Sequence, residues 1–200
     1  IGGSYSLLHR RLGRSLHIAA KARLDLDLPF GDRQFFAGER SFVAAPGVVS
    51  SLRLGRFYAA GSLGLRLRQS VDLAGTRVGS QLSSALGVGA DILPRGLLSF
   101  GAETWLLPAL VSQDRTLRDG TRIDNAAFVP AEWLASLRSS PLPSGELTLQ
   151  LGGGAAIPLS SRQRVAPDGT TSTEHFAGLT TPRFRFVLIV RYVPREDTPR

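Results

Sequence analysis

Ser15-Leu16-His17-Ile18-Ala19-Ala20-Lys21-Ala22-Arg23-Leu24-Asp25-Leu26-Asp27-Leu28 decides the fold. Leu16, Ile18, Ala20, Ala22, Leu24, Leu26 and Leu28 fall on one parity, and His17, Lys21, Arg23, Asp25 and Asp27 on the other. A period of two belongs to a β-strand, whose successive side chains point to opposite faces. The stretch is therefore read as a long strand with one apolar and one charged face.

The pattern recurs along the chain. Phe57, Ala59, Leu63, Leu65 and Leu67 oppose Tyr58, Ser62, Arg66 and Arg68, and Leu82, Leu86, Val88 and Ala90 oppose Gln81, Ser83, Gly87 and Asp91. Leu98, Phe100, Ala102 and Leu106 oppose Ser99, Gly101, Glu103 and Trp105; Trp133, Ala135 and Leu137 oppose Glu132, Ser136 and Arg138. Leu147, Leu149 and Leu151 oppose Thr148, Gln150 and Gly152, and Phe184, Phe186, Leu188, Val190 and Tyr192 oppose Arg183, Arg185 and Arg191. Weaker alternation over residues 3–10 and 43–54, the second with Pro46 and Gly47 suggesting a bulge, brings the expected number to roughly nine strands.

Arg11-Leu12-Gly13-Arg14 and Arg53-Leu54-Gly55-Arg56 read as the same tight turn, with further turns at 94–96 and 141–145. Longer polar connections are expected around 31–40, 112–125 and 160–181. Tight turns at one end and long connections at the other describe an all-β, antiparallel up-and-down transmembrane β-barrel, or a large part of one. Residues 1–193 form the barrel domain in this reading and 194–200 a C-terminal periplasmic linker stub.

Three features favour lipid over a protein core for the apolar face. The strands read as roughly 11 to 15 residues long, against about 5 to 6 in soluble sheets. Ser62, Gly64, Ser83, Gly87, Gly89, Gly101, Gly152 and Gly154 crowd the polar face, as suits a wet interior. Phe57, Tyr58 and Tyr192 stand near strand ends as expected of interfacial girdles, Phe100 falling nearer mid-strand. The alternative is a soluble or periplasmic β-sandwich acting as a binding module, whose strands also alternate.

The 200 residues carry a formal charge of +8 and a sequence pI near 11.2, with Lys21 the only lysine. Cysteine is absent, which removes disulfides, thiolate metal sites and a thiol nucleophile. No run approaches the roughly 18 apolar residues of a spanning helix. The sequence begins at Ile1, contains no methionine, and reads as part of a longer polypeptide.

Leu26-Asp27-Leu28-Pro29-Phe30-Gly31-Asp32, then Phe36-Ala37-Gly38-Glu39 and a strand through Pro46, resembles the barrel portion of OmpA-family and related outer-membrane proteins of delta-proteobacteria, the myxobacterial type. Thr181 to Tyr192 resembles their final strand, without the glycine common in assembly-machinery signals. The resemblance implies a Gram-negative cell outer membrane, contact with its lipid and with the barrel-assembly machinery, and a structural, anchoring or passive pore role. The peptidoglycan-binding domain that often follows such barrels has no counterpart in these residues.

No enzyme is expected. Gly87-Val88-Gly89 and Gly152-Gly153-Gly154 lack the Gly-Lys-Ser/Thr of a phosphate loop, and the acids and His9, His17 and His175 form no cluster at ligand spacing. No cofactor or metal is assigned. Lys21, Arg23, Asp25, Arg66, Arg68, Glu103, Glu132, Arg138, Arg183 and Arg185 are instead read as a charge network lining the lumen, whose basic excess would favour small anionic solutes. Nucleic acid is excluded as a partner, because the aromatics between Arg183 and Tyr192 face away from the arginines.

Overall fold

The computed structural model describes residues 1–13, 15–28, 42–73, 76–94, 97–117, 119–140, 147–177 and 181–193. Fifteen strands and no α-helix occur among them. Nine form one antiparallel sheet in the order β1 (Gly2–Leu12), β2 (Leu16–Asp27), β3 (Val43–Leu54), β4 (Phe57–Arg66), β7 (Gln81–Asp91), β8 (Leu98–Leu106), β11 (Ala131–Ser139), β12 (Leu147–Ala156) and β15 (Arg185–Tyr192). These are the nine strands the alternation marks, at 8 to 12 residues each and so shorter than the sequence suggests. Of the resemblance, residues 29–41 lie outside the described residues, as do the expected turns at 95–96 and 141–145 and the stretch 194–200.

The strand order makes the sheet an up-and-down meander, and its polar and apolar parities agree across the ladders except where β1 bulges between Ser6 and Leu8. One row runs Leu16, Leu54, Phe57, Ala90, Phe100, Leu137, Leu151 and Leu188, and the next runs His17, Arg53, Tyr58 and Gly89. At the opposite end the ladders stop at Asp27↔Val43, Arg66↔Gln81, Leu106↔Ala131 and Gly154↔Arg185, successively closer to that first row.

The polar face is the concave one. His9 on β1 and Arg138 on β11 line one cavity although five strands separate them in the sheet. Such bending needs small residues inside. A Cβ on Gly154 would stand 1.9 Å from the Trp133 carbonyl oxygen, and one on Gly64 2.7 Å from that of Pro46. The glycines thus admit neighbouring backbone, which refines the expectation that they merely make room for water and arginines. The sheet is open: among the described residues β1 and β15 pair on one side only, so a closed barrel is not observed.

Short and long connections alternate as expected. Gly13 and Gly55, with φ of 71° and 57°, take the left-handed conformation in the β1–β2 and β3–β4 turns, where a Cβ would be strained. The long connections hold six further strands, four of them in the stretches around 112–125 and 160–181 that the sequence reading treats as loop. β5 (Val71–Leu73) and β6 (Thr76–Val78) pair between β4 and β7. β9 (Arg115–Thr116), β10 (Arg122–Ala127), β13 (Ser160–Val165) and β14 (Thr171–Phe176) form a second sheet in the order β14-β13-β10-β9.

That order mirrors β15-β12-β11-β8, so the second sheet prolongs half of the first. Leu107 and Ala109 still donate to the carbonyls of Pro130 and Phe128, at 2.8 Å each, between the two sheets. Pro108, Pro130, Pro158 and Pro182 stand at the four crossings. Proline has no N–H to donate, so each crossing interrupts the ladder.

The buried apolar core among the described residues is Val43, Ile123, Phe128 and Ala131, at the long-connection end. The convex face is uncovered: Leu63, Phe57, Leu86, Phe186 and Leu188 are each more than half exposed. Among the described residues no second sheet packs on it, because the four-stranded sheet extends from the end of the first rather than crossing its face.

Gly154→Val should lower folding stability by about 1–3 kcal/mol or abolish folding, since the obstruction is backbone rather than a movable side chain. Gly3→Ala, with nothing within 4 Å of the added Cβ, should change little. Urea unfolding midpoints in detergent compare the two.

Candidate functional site

The concave face gathers the charges. In the nine-stranded sheet Arg10 alone among charged residues shares a face with the leucines, and it does so because β1 bulges between Ser6 and Leu8, which flips the parity of the rest of the strand. Arg23, Asp25, Arg66, Ser62 and Ser83 line a cavity of about 460 Å³ towards the long-connection end. Towards the tight turns, His9, His17, Arg53, Tyr58 and Arg138 line another.

Three contacts organise this surface. Arg185 Nε lies 2.7 Å from Glu132 Oε1, and Glu132 is only 2% exposed. The two strands are not neighbours: β12 lies between them, and Arg185 pairs with Gly154, whose missing side chain opens the path across it. No aligned hydrogen bond accompanies that ion contact at either carboxylate oxygen. Arg53 forms an ion pair and short hydrogen bond with Asp91, whose other oxygen accepts from Ser99 Oγ at 2.8 Å. Tyr58 lays its ring over Gly89 and donates to the Phe100 carbonyl oxygen at 3.2 Å, so one inward aromatic ties β4 across β7 to β8.

The ten residues expected to line the lumen are distributed as follows. Arg23 and Asp25 pair at 3.2 Å on one face of β2. Arg68 donates to the Gly79 carbonyl oxygen and to Gln81 Oε1, at 3.1 and 3.2 Å, and so fastens the β4–β7 connection. Arg66 lines the upper cavity, while Arg138 and Glu103 share a pocket without forming an ion pair. Lys21 sits on the concave face opposite Val49. Arg183 is exposed ahead of β15, and Arg185 pairs with Glu132. Among the described residues acid and base meet on this face as three local pairs, two of them joining residues on different strands.

Sequence reading missed Arg53, Asp91 and Tyr58 as participants. The parity of each was legible; that Arg53 reaches Asp91 depends on the register of three strands. Tyr58 was assigned to an outer girdle, but its parity matches Arg66 and it faces inward. Phe100, thought to be mid-strand, lies in the row of Phe57 near the tight turns, as a girdle residue would.

The second sheet has its own charges. Arg162 and Arg164 approach Glu174 at 2.7 and 3.3 Å, and Arg162 stacks 5.3 Å from the Phe176 ring centre. Both hairpins close on Asp-Gly-Thr, with Gly120 and Gly169 at φ of 82° and 87°. Asp119 accepts from the Thr121 N–H and Asp168 from the Thr170 N–H, and each carboxyl is held below its ordinary range chiefly by that backbone bond. Glu174 is lowered first by its hydrogen bond with Arg162, then by the charges of Arg162 and Arg164. Among the described residues no group of three His, Asp or Glu could hold a metal ion.

Removing Arg185 strands a buried carboxylate, whereas neutralising Glu132 leaves a half-exposed arginine that water can reach. Arg185→Ala should therefore cost about 3 kcal/mol and Glu132→Gln about 1, with the double variant recovering most of the loss. A double-mutant cycle on unfolding free energies measures this. The lowered Glu174 carboxyl adds stability that is full above its ordinary range and disappears as pH falls through the depressed value. NMR titration should place Glu174 below the ordinary 4.5, and Arg162→Ala should return it towards that value.

Comparison with family models, with curated proteins and with solved structures finds no match to this chain.

Proposed function

We propose that this chain is the wall of an outer-membrane β-barrel, with lipid against its convex face and a hydrated interior on its concave face. The observation that carries the reading is the uncovered convex face, which presents large apolar residues from every strand of the nine-stranded sheet. Monomeric soluble proteins rarely expose apolar patches beyond a few hundred Å². The alternative sandwich would need a second sheet over those residues.

Dimensions support the same reading. At roughly 3.3 Å per residue and a tilt near 40°, a strand the length of β4 rises about 25 Å, the height of the apolar band of such barrels. The tight turns then face the periplasm, and the long connections with the second sheet face outward. The role is structural or that of a passive pore, in line with the OmpA-type resemblance; the basic concave face favours small anions over cations. Insertion would pass through the barrel-assembly machinery of a Gram-negative cell.

The two tryptophans test this. Trp133 is on the convex face and Trp105 on the concave one, opposite Glu132. In vesicles with brominated acyl chains, Trp105→Phe, which keeps Trp133, should be quenched strongly, and Trp133→Phe, which keeps Trp105, weakly. Equal quenching of both, or of neither, overturns the proposal.

A further inference from the structure

We propose that the tight-turn end of the concave face is a binding site for the phosphate group of a small solute, held by His9, His17, Arg53 and Arg138. The inference rests on the reading of that face as a hydrated interior, and adds a place and a ligand class to its preference for anions. Register is where it starts. Arg11 stands opposite His17 and His17 opposite Arg53, so three basic side chains form one row across β1, β2 and β3 on the same face. His9 lies one row further in, opposite Ala19. Bases aligned across a ladder gain nothing from one another, and where they carry charge they repel.

Carboxylates do not offset this row. At the long-connection end of the face Arg23 meets Asp25 and Arg185 meets Glu132, at 3.2 and 2.7 Å. At the tight-turn end Asp91 is already engaged by Arg53 and by Ser99 Oγ. Glu103 shares an adjoining pocket with Arg138 but forms no ion pair with it. Among the described residues no carboxylate lines the cavity of about 380 Å³ that His9, His17, Arg53 and Arg138 surround. Small-molecule sites commonly occupy about 300–1,000 Å³. A local excess of base around a cavity of that size is a place for an anion.

The donors select the class of anion. A guanidinium is a planar fork that meets two oxygens of an oxyanion at once, which a halide cannot exploit. Each imidazole offers an N–H even when neutral, and Ser51 adds a hydroxyl to the lining. These groups reach the cavity from two sides, from β1, β2 and β3 and from β11 across the coiled sheet. That arrangement suits the tetrahedral oxygens of a phosphate group better than the two coplanar oxygens of a carboxylate. The cavity is larger than a phosphate group, so the remainder of a small phosphorylated molecule fits beside it.

Phosphorus NMR of inorganic phosphate and of glycerol phosphate, titrated with the folded protein in maltoside micelles at constant ionic strength, tests this. Both probes should show saturable broadening that sodium chloride does not abolish. Arg138→Gln and, separately, His17→Gln should each weaken binding about tenfold, the loss expected for one hydrogen bond to a charged group. Arg122→Gln, which removes a positive charge on the second sheet, should leave it unchanged. Phosphate should also raise the urea midpoint of the parent protein and not that of Arg138→Gln. Broadening that does not saturate, equal weakening by Arg122→Gln, or exclusion of glycerol phosphate would each overturn the inference. If Arg138→Gln does not fold, His17→Gln decides in its place. Binding in micelles is read whatever surrounds the convex face, so its failure is distinguishable from a failure of the tryptophan quenching.

Discussion

The antiparallel ladder, and the parity it enforces, is the constraint on which the rest of this molecule depends. Because side chains alternate with a period of two, a slip of one residue in any pairing would carry the leucines of that strand inward and its arginines outward. In β2 such a slip would exchange Leu16, Ile18 and Leu24 for His17, Lys21 and Arg23. In the proposed membrane setting, where lipid covers the convex face, burying one leucine or phenylalanine is worth about 1.5–3 kcal/mol, whereas an exposed ion pair is worth about 0–1. The convex face would then set the register, and the concave charges arrange themselves within it.

Curvature makes the concave face work. Coiling the sheet brings inward side chains together, and the sequence answers with glycine and serine at the inward positions of β4, β7 and β12. Each missing side chain is then used by a longer neighbour: Tyr58 lies over Gly89, and Arg185 crosses Gly154 to reach Glu132. These cross-strand contacts skip a strand, which flat sheets rarely allow and a coiled one favours. They couple β4 to β8 and β11 to β15 beyond what the backbone ladders provide.

The nine long strands were legible because a sheet with one wet and one greasy face writes its period into the sequence. Where the structure breaks the period, legibility failed. β1 read as weak because its bulge after Ser6 places Tyr5 and Leu8, of opposite parity, on the same face. β10 and β13 were invisible because Arg122-Ile123-Asp124-Asn125-Ala126-Ala127 and Ser160-Ser161-Arg162-Gln163-Arg164 show no sustained alternation, although Ile123 and Ser160 are buried. The Asp119-Gly120 and Asp168-Gly169 pairs, a known hairpin signal, were the clue to those strands. The concave pairing was only half legible: parity told which residues face inward, but register decides that Arg53 meets Asp91 while Glu103 and Arg138 remain apart.

In the proposed membrane setting the two sheets, interrupted at Pro108, Pro130, Pro158 and Pro182, lie in two environments, and these prolines mark the boundary. Below Pro108, Pro130, Pro158 and Pro182 one face of each strand is apolar; beyond them serine, threonine, glutamine and arginine predominate, with Ile123 and Phe128 turned into the buried core. In that setting, a boundary between hydrocarbon and water would account for the change of character in these four strands. Proline serves at such a level because the interrupted ladder lies where water can satisfy the carbonyls left without a donor. The tight turns at Gly13 and Gly55 bound the apolar faces at the other end, so the greasy band has two edges, each fixed by backbone chemistry.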